Sequence, residues 1–218
     1  MMVVEQTKAH TPIARGRRPA GIESGREALL DAAIGTFARL GYEGNSLRAL
    51  GAAAGVDMAL VGRLFGAKAA LWDAVINRLT ERHRTHVELL DTLADVMREG
   101  PEDGFCRFIR FFADLSFEMP AFPAFLLQEA ANPGERLDTL VRQLVKPFRD
   151  RCRPIIAAAI EAGVVRAKEP DMVFGMLLAA ISLPMVSPAL FTRQDKNSEA
   201  LRDTLAKDAI SMFIMRTE

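Results

Sequence analysis

Residues 24–75 read SGREALLDAAIGTFARLGYEGNSLRALGAAAGVDMALVGRLFGAKAALWDAV, and the punctuation of this stretch decides the fold. Ser24-x-x-Glu27 has the form of a capping box, Leu29, Ala33, Phe37 and Leu40 follow at helical spacing, and Gly41 stands where a helix stops in the left-handed conformation. A second, shorter helix is predicted to start at Asn45 or Ser46, whose side chains can accept from the free amides of a first turn, and to end at Ala54 before Gly55. Asp57 then caps a third short helix carrying Met58 to Phe65. Leu50, Ala54, Val56, Val61 and Phe65 can share one small core against Phe37, which leaves the opposite face of the third helix free. A free helix of that size fits the major groove of DNA, with Ser46 and the first amides of the second helix offered to a phosphate. The same spacing also suits three helices that only pack on one another.

Outward from this stretch the periodicity stays helical, with no alternation of period two, so the chain is predicted to be all-α with about nine helices. A long fourth helix runs from Lys68 through Leu71, Val75 and Leu79 toward Met97, before Gly100-Pro101. A fifth carries Phe105, Phe108, Phe112, Leu115 and Met119, and a sixth carries Phe122, Phe125, Leu126 and Glu129. The seventh places Leu137, Val141, Leu144, Phe148, Cys152, Ile155 and Ala159 on one stripe, with bends expected at Pro147 and Pro154 and a stop at Gly163. Two apolar stripes close the chain: the uncharged run 172–192, and Leu201, Leu205, Ala209, Met212 and Phe213 on a helix from Ser198 to Met215.

Composition narrows the function classes. The 218 residues hold 28 Lys and Arg against 28 Asp and Glu and are half apolar, which is a soluble, globular make-up. Charge is unevenly placed: residues 1–80 carry ten basic and seven acidic side chains, a net +3, and residues 81–218 carry the balancing −3. A mildly basic front end suits a nucleic-acid module on a neutral body. Cys106 and Cys152 form no metal-ligand spacing, and the N-terminus has no apolar signal core, so the cytoplasm is the expected compartment. The run 172–192 is long enough to span a bilayer, yet Ser182, Pro184, Ser187 and Pro188 interrupt it, and a buried or interface helix is the expected reading. No nucleophile elbow, phosphate loop or H-E-x-x-H occurs, so no catalytic residue, cofactor or metal is expected. His83 and His86, with Glu81 and Glu88, share a helical face and could hold a metal, but in so charged a stretch they read first as a solvated surface.

The stretch 25–75 also resembles the N-terminal domain of the tetracycline-repressor (TetR) family. The resemblance rests on Ala32-Ala33 with Phe37, Gly41-Tyr42, Ser46, Leu50, Ala54-Gly55-Val56, Val61, Phe65, Lys68 and Leu71. It implies a helix-turn-helix reading head over 23–67, a helical effector-binding and dimerisation body over 68–218, and a homodimer paired through its last two helices. Such a dimer would repress at an inverted repeat on double-stranded DNA and leave it when a small-molecule effector binds. The segment 1–22, with Arg17 and Arg18, resembles the flexible basic arm of many members. Lys68 matches a family lysine that implies a phosphate contact.

Departures from the family fall on the reading face. Gly62 stands where the family usually has a Tyr on phosphate, Leu60 where Ser or Thr is common, and Gly66-Ala67 replaces a Ser cap. The groove-facing set would be Met58, Ala59, Leu60, Gly62 and Arg63, with Arg48 and Arg63 as the donors and apolar contact to thymine methyls. Gly51, Gly62 and Gly66 are expected to soften the head by roughly 0.5–1 kcal/mol each. A protein that keeps the fold and binds a ligand without reading an operator is the alternative. In the body, Phe108, Phe112, Phe122, Phe125 and Phe148 are the candidate lining of an effector pocket for an apolar or aromatic molecule, although a Phe stripe also simply fills cores.

Overall fold

The computed structural model describes residues 20–191 and 198–215, and every regular element among them is helical. Six helices open the chain: α1 Ala20–Leu40, α2 Leu47–Ala54, α3 Met58–Phe65, α4 Lys68–Glu99, α5 Pro101–Glu118 and α6 Ala121–Ala130. α7 joins Glu135–Leu140, a π-helical turn Val141–Val145 and Lys146–Glu161. α8 joins Pro170–Leu177, a second π turn Leu178–Ser182 and Leu183–Val186, and α9 is Glu199–Phe213. This is the all-α arrangement of about nine helices that the periodicity predicts.

The short helices are fixed by local chemistry. The Ala49 amide donates to Ser46 Oγ at 3.2 Å, so Ser46 caps α2, and Gly55 ends that helix with φ 65°. Asp57 Oδ1 accepts from the Ala59 and Leu60 amides at 2.6 and 3.3 Å and starts α3. Two expectations for α1 are corrected. The helix begins at Ala20, so Ser24 lies inside it and not at its N-terminus; Ser costs only a few tenths of a kcal/mol in a helix (~0.5). Leu40 is 56% exposed, because the chain reverses at Gly41 (φ 67°) and the buried face runs through Leu29, Leu30, Ala33, Ile34 and Phe37.

The prolines explain the π turns. A proline inside a helix lacks an N–H and its ring strikes the carbonyl four residues back. For Pro147 and Pro184 those carbonyls belong to Gln143 and Ala180, the middle residues of the two π turns. Widening the turn gives the ring room. Pro154 has no such turn beside it and continues as α-helix within Lys146–Glu161, so the second bend expected in α7 is not matched by a break in its pattern.

Two apolar clusters hold the chain together. One unites Phe105, Phe108, Phe112, Phe148, Phe174 and their neighbours in α4, α5, α7, α8 and α9. The other joins Leu29, Phe37, Leu50 and Val61 to Leu71, Trp72 and Val75 of α4, and it also takes in Phe122 and Phe125 of α6 with Leu140 and Leu144 of α7. The core of the first three helices is therefore completed by side chains of α6 and α7, from Phe122 to Leu144. No helix among the described residues is long and apolar enough to cross a membrane.

Candidate nucleic-acid interface

α3 owes its position to two close approaches. A Cβ on Gly51 would lie 3.0 Å from Val61 Cγ2 and 3.1 Å from the Val56 carbonyl, so this buried glycine lets α2 and α3 nest. The expected softening does not apply there, because the absent methyl is what admits the packing. A Cβ on Gly25 would lie 3.0 Å from Leu60 Cδ2, so α1 supports α3 through Leu60. Leu60 is accordingly half-buried against α1 and leaves the groove-facing set. Gly66 ends α3 with φ 69°, a conformation glycine adopts without strain. Gly62 has open space where a Cβ would stand, so of the three glycines it alone is not explained by packing or backbone geometry.

With Leu60 and Val61 turned inward, Met58, Ala59, Gly62 and Arg63 are exposed, as are Arg48 on α2 and the cap Ser46. Arg48 and Arg63 have no ion-pair partner among the described residues, so their guanidinium groups are free to donate. Ser46 Oγ accepts from Ala49 and keeps its own proton for an outside acceptor. Arg17 and Arg18 lie outside the described residues.

Lys68, where the resemblance implies a phosphate contact, also makes contacts within the fold. Its ammonium donates to the Tyr42 carbonyl at 3.1 Å and the Asn45 carbonyl at 3.0 Å, and lies 4.1 Å from the Tyr42 ring centroid. With a side chain 23% exposed and two of three protons committed, it clamps the α1–α2 loop to the start of α4. Arg136 of α7 comes to the same ring at 4.2 Å, pairs with Glu43 at 3.4 Å, and donates from Nε to the buried Glu129 of α6 at 3.2 Å. Nothing in the sequence joined Tyr42 to Arg136 across 94 residues. Lys68→Met is expected to lower stability by about 2 kcal/mol, as the loss of hydrogen bonds from a charged donor implies, and to leave the salt dependence of DNA binding unchanged. Denaturant melts and titrations at several salt concentrations check both halves.

In the body, the candidate effector phenylalanines separate. Phe112, Phe122 and Phe148 line a small void with Ser116, Phe174 and Ser182, and its volume is about 10 Å³, room for a single water. Phe108 and Phe125 do not line it: the first is packed in the body core and the second wedges between Phe37 and Trp72. Ser116 Oγ and Ser182 Oγ meet at 2.7 Å beside the void, and Ser116 also reaches the Phe112 carbonyl at 2.9 Å.

His83 is not the solvated residue its charged neighbours suggested. It is 2% exposed, packs edge-on against Phe148 at 4.6 Å and Phe122 at 5.3 Å, and neither ring nitrogen has a hydrogen-bond partner. Burial pushes its pKa down to about 4, with the residue's own backbone opposing the fall and nearby His86 adding to it, so the ring is neutral at pH 7. His86 lies beside it, with ring centroids 6.0 Å apart, and meets Glu118 Oε2 at 3.0 Å. Among the described residues no three His, Cys, Asp or Glu side chains are grouped to hold a metal.

Residues 29–75 match the sequence model of the bacterial regulatory proteins of the tetR family. The HTH-type transcriptional regulator RutR of Escherichia coli strain K12 is 25% identical over 166 residues, 76% of each chain. Two solved structures share the fold. HlyIIR, a hemolysin II transcriptional regulator, superposes with a TM-score of 0.67 at 17% identity, covering 89% of this chain and 99% of its own. AibR in complex with isovaleryl coenzyme A and operator DNA gives 0.67 at 19% identity, covering 87% and 97%. With a capped helix-turn-helix at the matched residues, a regulator alike at 25% identity and the same helical body behind it, the chain is similar to the bacterial regulatory proteins of the tetR family.

Proposed function

We propose that the chain is a cytoplasmic, dimeric repressor that grips an inverted repeat with two copies of α3 and is released when a small molecule enters the helical body. The observation that carries the DNA half is the exposed face of Met58, Ala59, Gly62 and Arg63 beside Arg48 and Ser46, with both arginines unpaired. Arg63 is the sole strong donor on α3, so it would read a base edge while Met58 and Ala59 meet thymine methyls. Arg48 and Ser46 at the α2 N-terminus would hold phosphate and set register. Basic Arg17 and Arg18 would extend the grip along the backbone.

Pairing is supported by the apolar surface left uncovered on the last two helices. Met172 and Met176 on α8, Leu190 and Phe191 after it, and Met212 on α9, 78% exposed, are large apolar side chains left uncovered among the described residues. Covering them with a symmetry mate places two reading heads on one duplex, at half-sites one helical turn or a multiple apart. The release half rests on Phe122, which lines the void in the body and belongs to the core of the reading head. A guest that displaced it would disturb both, and AibR, with its coenzyme A thioester and operator, is a fold relative whose structure holds both kinds of partner.

Selection of bound sequences from a random pool, followed by titration of the enriched duplex, tests this reading. An inverted repeat is expected, with Arg63→Ala weakening binding about 5- to 150-fold and relaxing preference at one position. Arg48→Ala is expected to weaken all sequences alike and to reduce the salt slope by about one. The rival reading, a ligand-binding protein without operator recognition, is favoured by the bare Gly62. It requires that no sequence be enriched and that Arg63→Ala change nothing.

A further inference from the structure

The void bounded by Phe112, Phe122 and Phe174 is not isolated. Its wall residue Phe148 is also a wall of a surface cleft of about 200 Å³ between α4 and α7, where it stands beside His83 with Thr80, Val87 and Leu144. Phe148 thus stands on both the surface cleft and the inner void. The residue behind it in sequence is Pro147, the cause of the π turn in α7, and the π turn of α8 contributes Leu178 and Ser182 to the inner side. Widened turns are places where a helix has already given up its regular ladder, so a shift of Phe148 asks less of the backbone there than in an unbroken helix.

His83 is the feature packing does not explain. A buried imidazole with two unpartnered nitrogens forgoes hydrogen bonds that it would make in water. Phenylalanine would fill the same space among Phe122 and Phe148 without that loss.

We propose that cleft and void are the two halves of one closed binding site, gated by Phe148, and that the site takes an uncharged aromatic molecule bearing a hydroxyl or ring N–H that hydrogen-bonds His83. This rests on the ligand-release reading above and names the ligand class. The walls supply aromatic faces, and the uncharged polar groups are the His83 nitrogens and the Ser116–Ser182 hydroxyls, with Thr80 and Gln143 on the outer wall. The ionic side chains at the mouth are already spent on each other: Arg84 holds Glu81 at 3.0 Å and Glu88 at 3.5 Å. An anionic ligand would be stripped of water and given no counter-charge inside. A neutral phenol gives its proton to an imidazole nitrogen and buries its ring against Phe148.

Fluorescence titration of the full chain at pH 7 with 2-naphthol, naphthalene and 2-naphthoate tests the site without DNA. 2-Naphthol is expected to bind up to about tenfold more tightly than either of the others, the size of one buried hydrogen bond. His83→Phe is expected to bring 2-naphthol down to the affinity of naphthalene, and Phe148→Ala to speed entry of both. Equal affinity of the unmodified chain for 2-naphthol and naphthalene, or tighter binding of 2-naphthoate, overturns the proposal. A check that needs no variant is the ¹⁵N resonance of the His83 ring, which must shift on adding 2-naphthol; a resonance that stays put also overturns it. If 2-naphthol binds through His83 and the protein stays on its enriched duplex, the site stands and the ligand-release reading fails.

Discussion

Phe125→Ala is expected to lower the stability of the whole chain by about 3–5 kcal/mol, the range found when a large aromatic leaves a closed core. The ring is 1% exposed and meets Phe37 edge-on at 6.1 Å and Trp72 at 6.1 Å, so α6 of the body is pinned to α1 and α4 through it. Truncation leaves a hole bounded by three helices that other contacts hold in place, which limits collapse. The aromatic pairs add about 0.5–1.5 kcal/mol each beyond burial. Denaturant unfolding checks the loss. A second consequence is specific to this site: because Phe125 shares the head core with Phe122, its removal should also weaken whatever coupling the body exerts on α3. In a titration of operator affinity with and without effector, the variant should show a reduced ratio between the two. A drop below 1 kcal/mol would mean that head and body are held mainly by the polar cluster of Tyr42, Lys68 and Arg136.

That distribution of cohesion marks the line between what could and could not be read from the sequence. The caps of α2 and α3 were legible because Ser46, Gly55 and Asp57 act within three residues of themselves, and the free face of α3 follows from period alone. The same local logic misplaced Ser24, since a capping sequence sets a boundary only where the helix has a reason to begin. Longer reach was invisible. Lys68 matched a phosphate-binding position in the resemblance, and its commitment to the Tyr42 and Asn45 carbonyls appears only when the α1–α2 loop is laid beside α4. Phe108 and Phe125 sit on the same kind of stripe as Phe112 and Phe122, yet helix packing sends them to different surroundings. His83 was hidden by its neighbours: Arg82 and Arg84 are exposed, but one residue in a helix turns the side chain by about 100°, enough to bury it.

The buried imidazole makes the chain acid-sensitive, and the sign is fixed by the direction of its shift. In the folded protein His83 takes a proton only near pH 4, whereas in the unfolded chain it does so near 6.5. Between those values the unfolded state binds the extra proton, so stability falls as pH falls through 6.5 and levels off below about 4. The full difference is worth about 3 kcal/mol. Carboxylates contribute to acid unfolding as well, and Asp114 works in the opposite sense: burial raises its pKa, so its share of stability grows as acid is added. The clean measurement is therefore a comparison of the unmodified chain with His83→Phe in denaturant melts at pH 7.5 and pH 5. The unmodified chain is expected to lose about 2 kcal/mol more than the variant across that step, since most of the folded–unfolded difference for this ring is expressed by pH 5. Equal losses would require that His83 reach water or a partner in solution, and a site that depends on its unpaired nitrogens would lose its anchor with it.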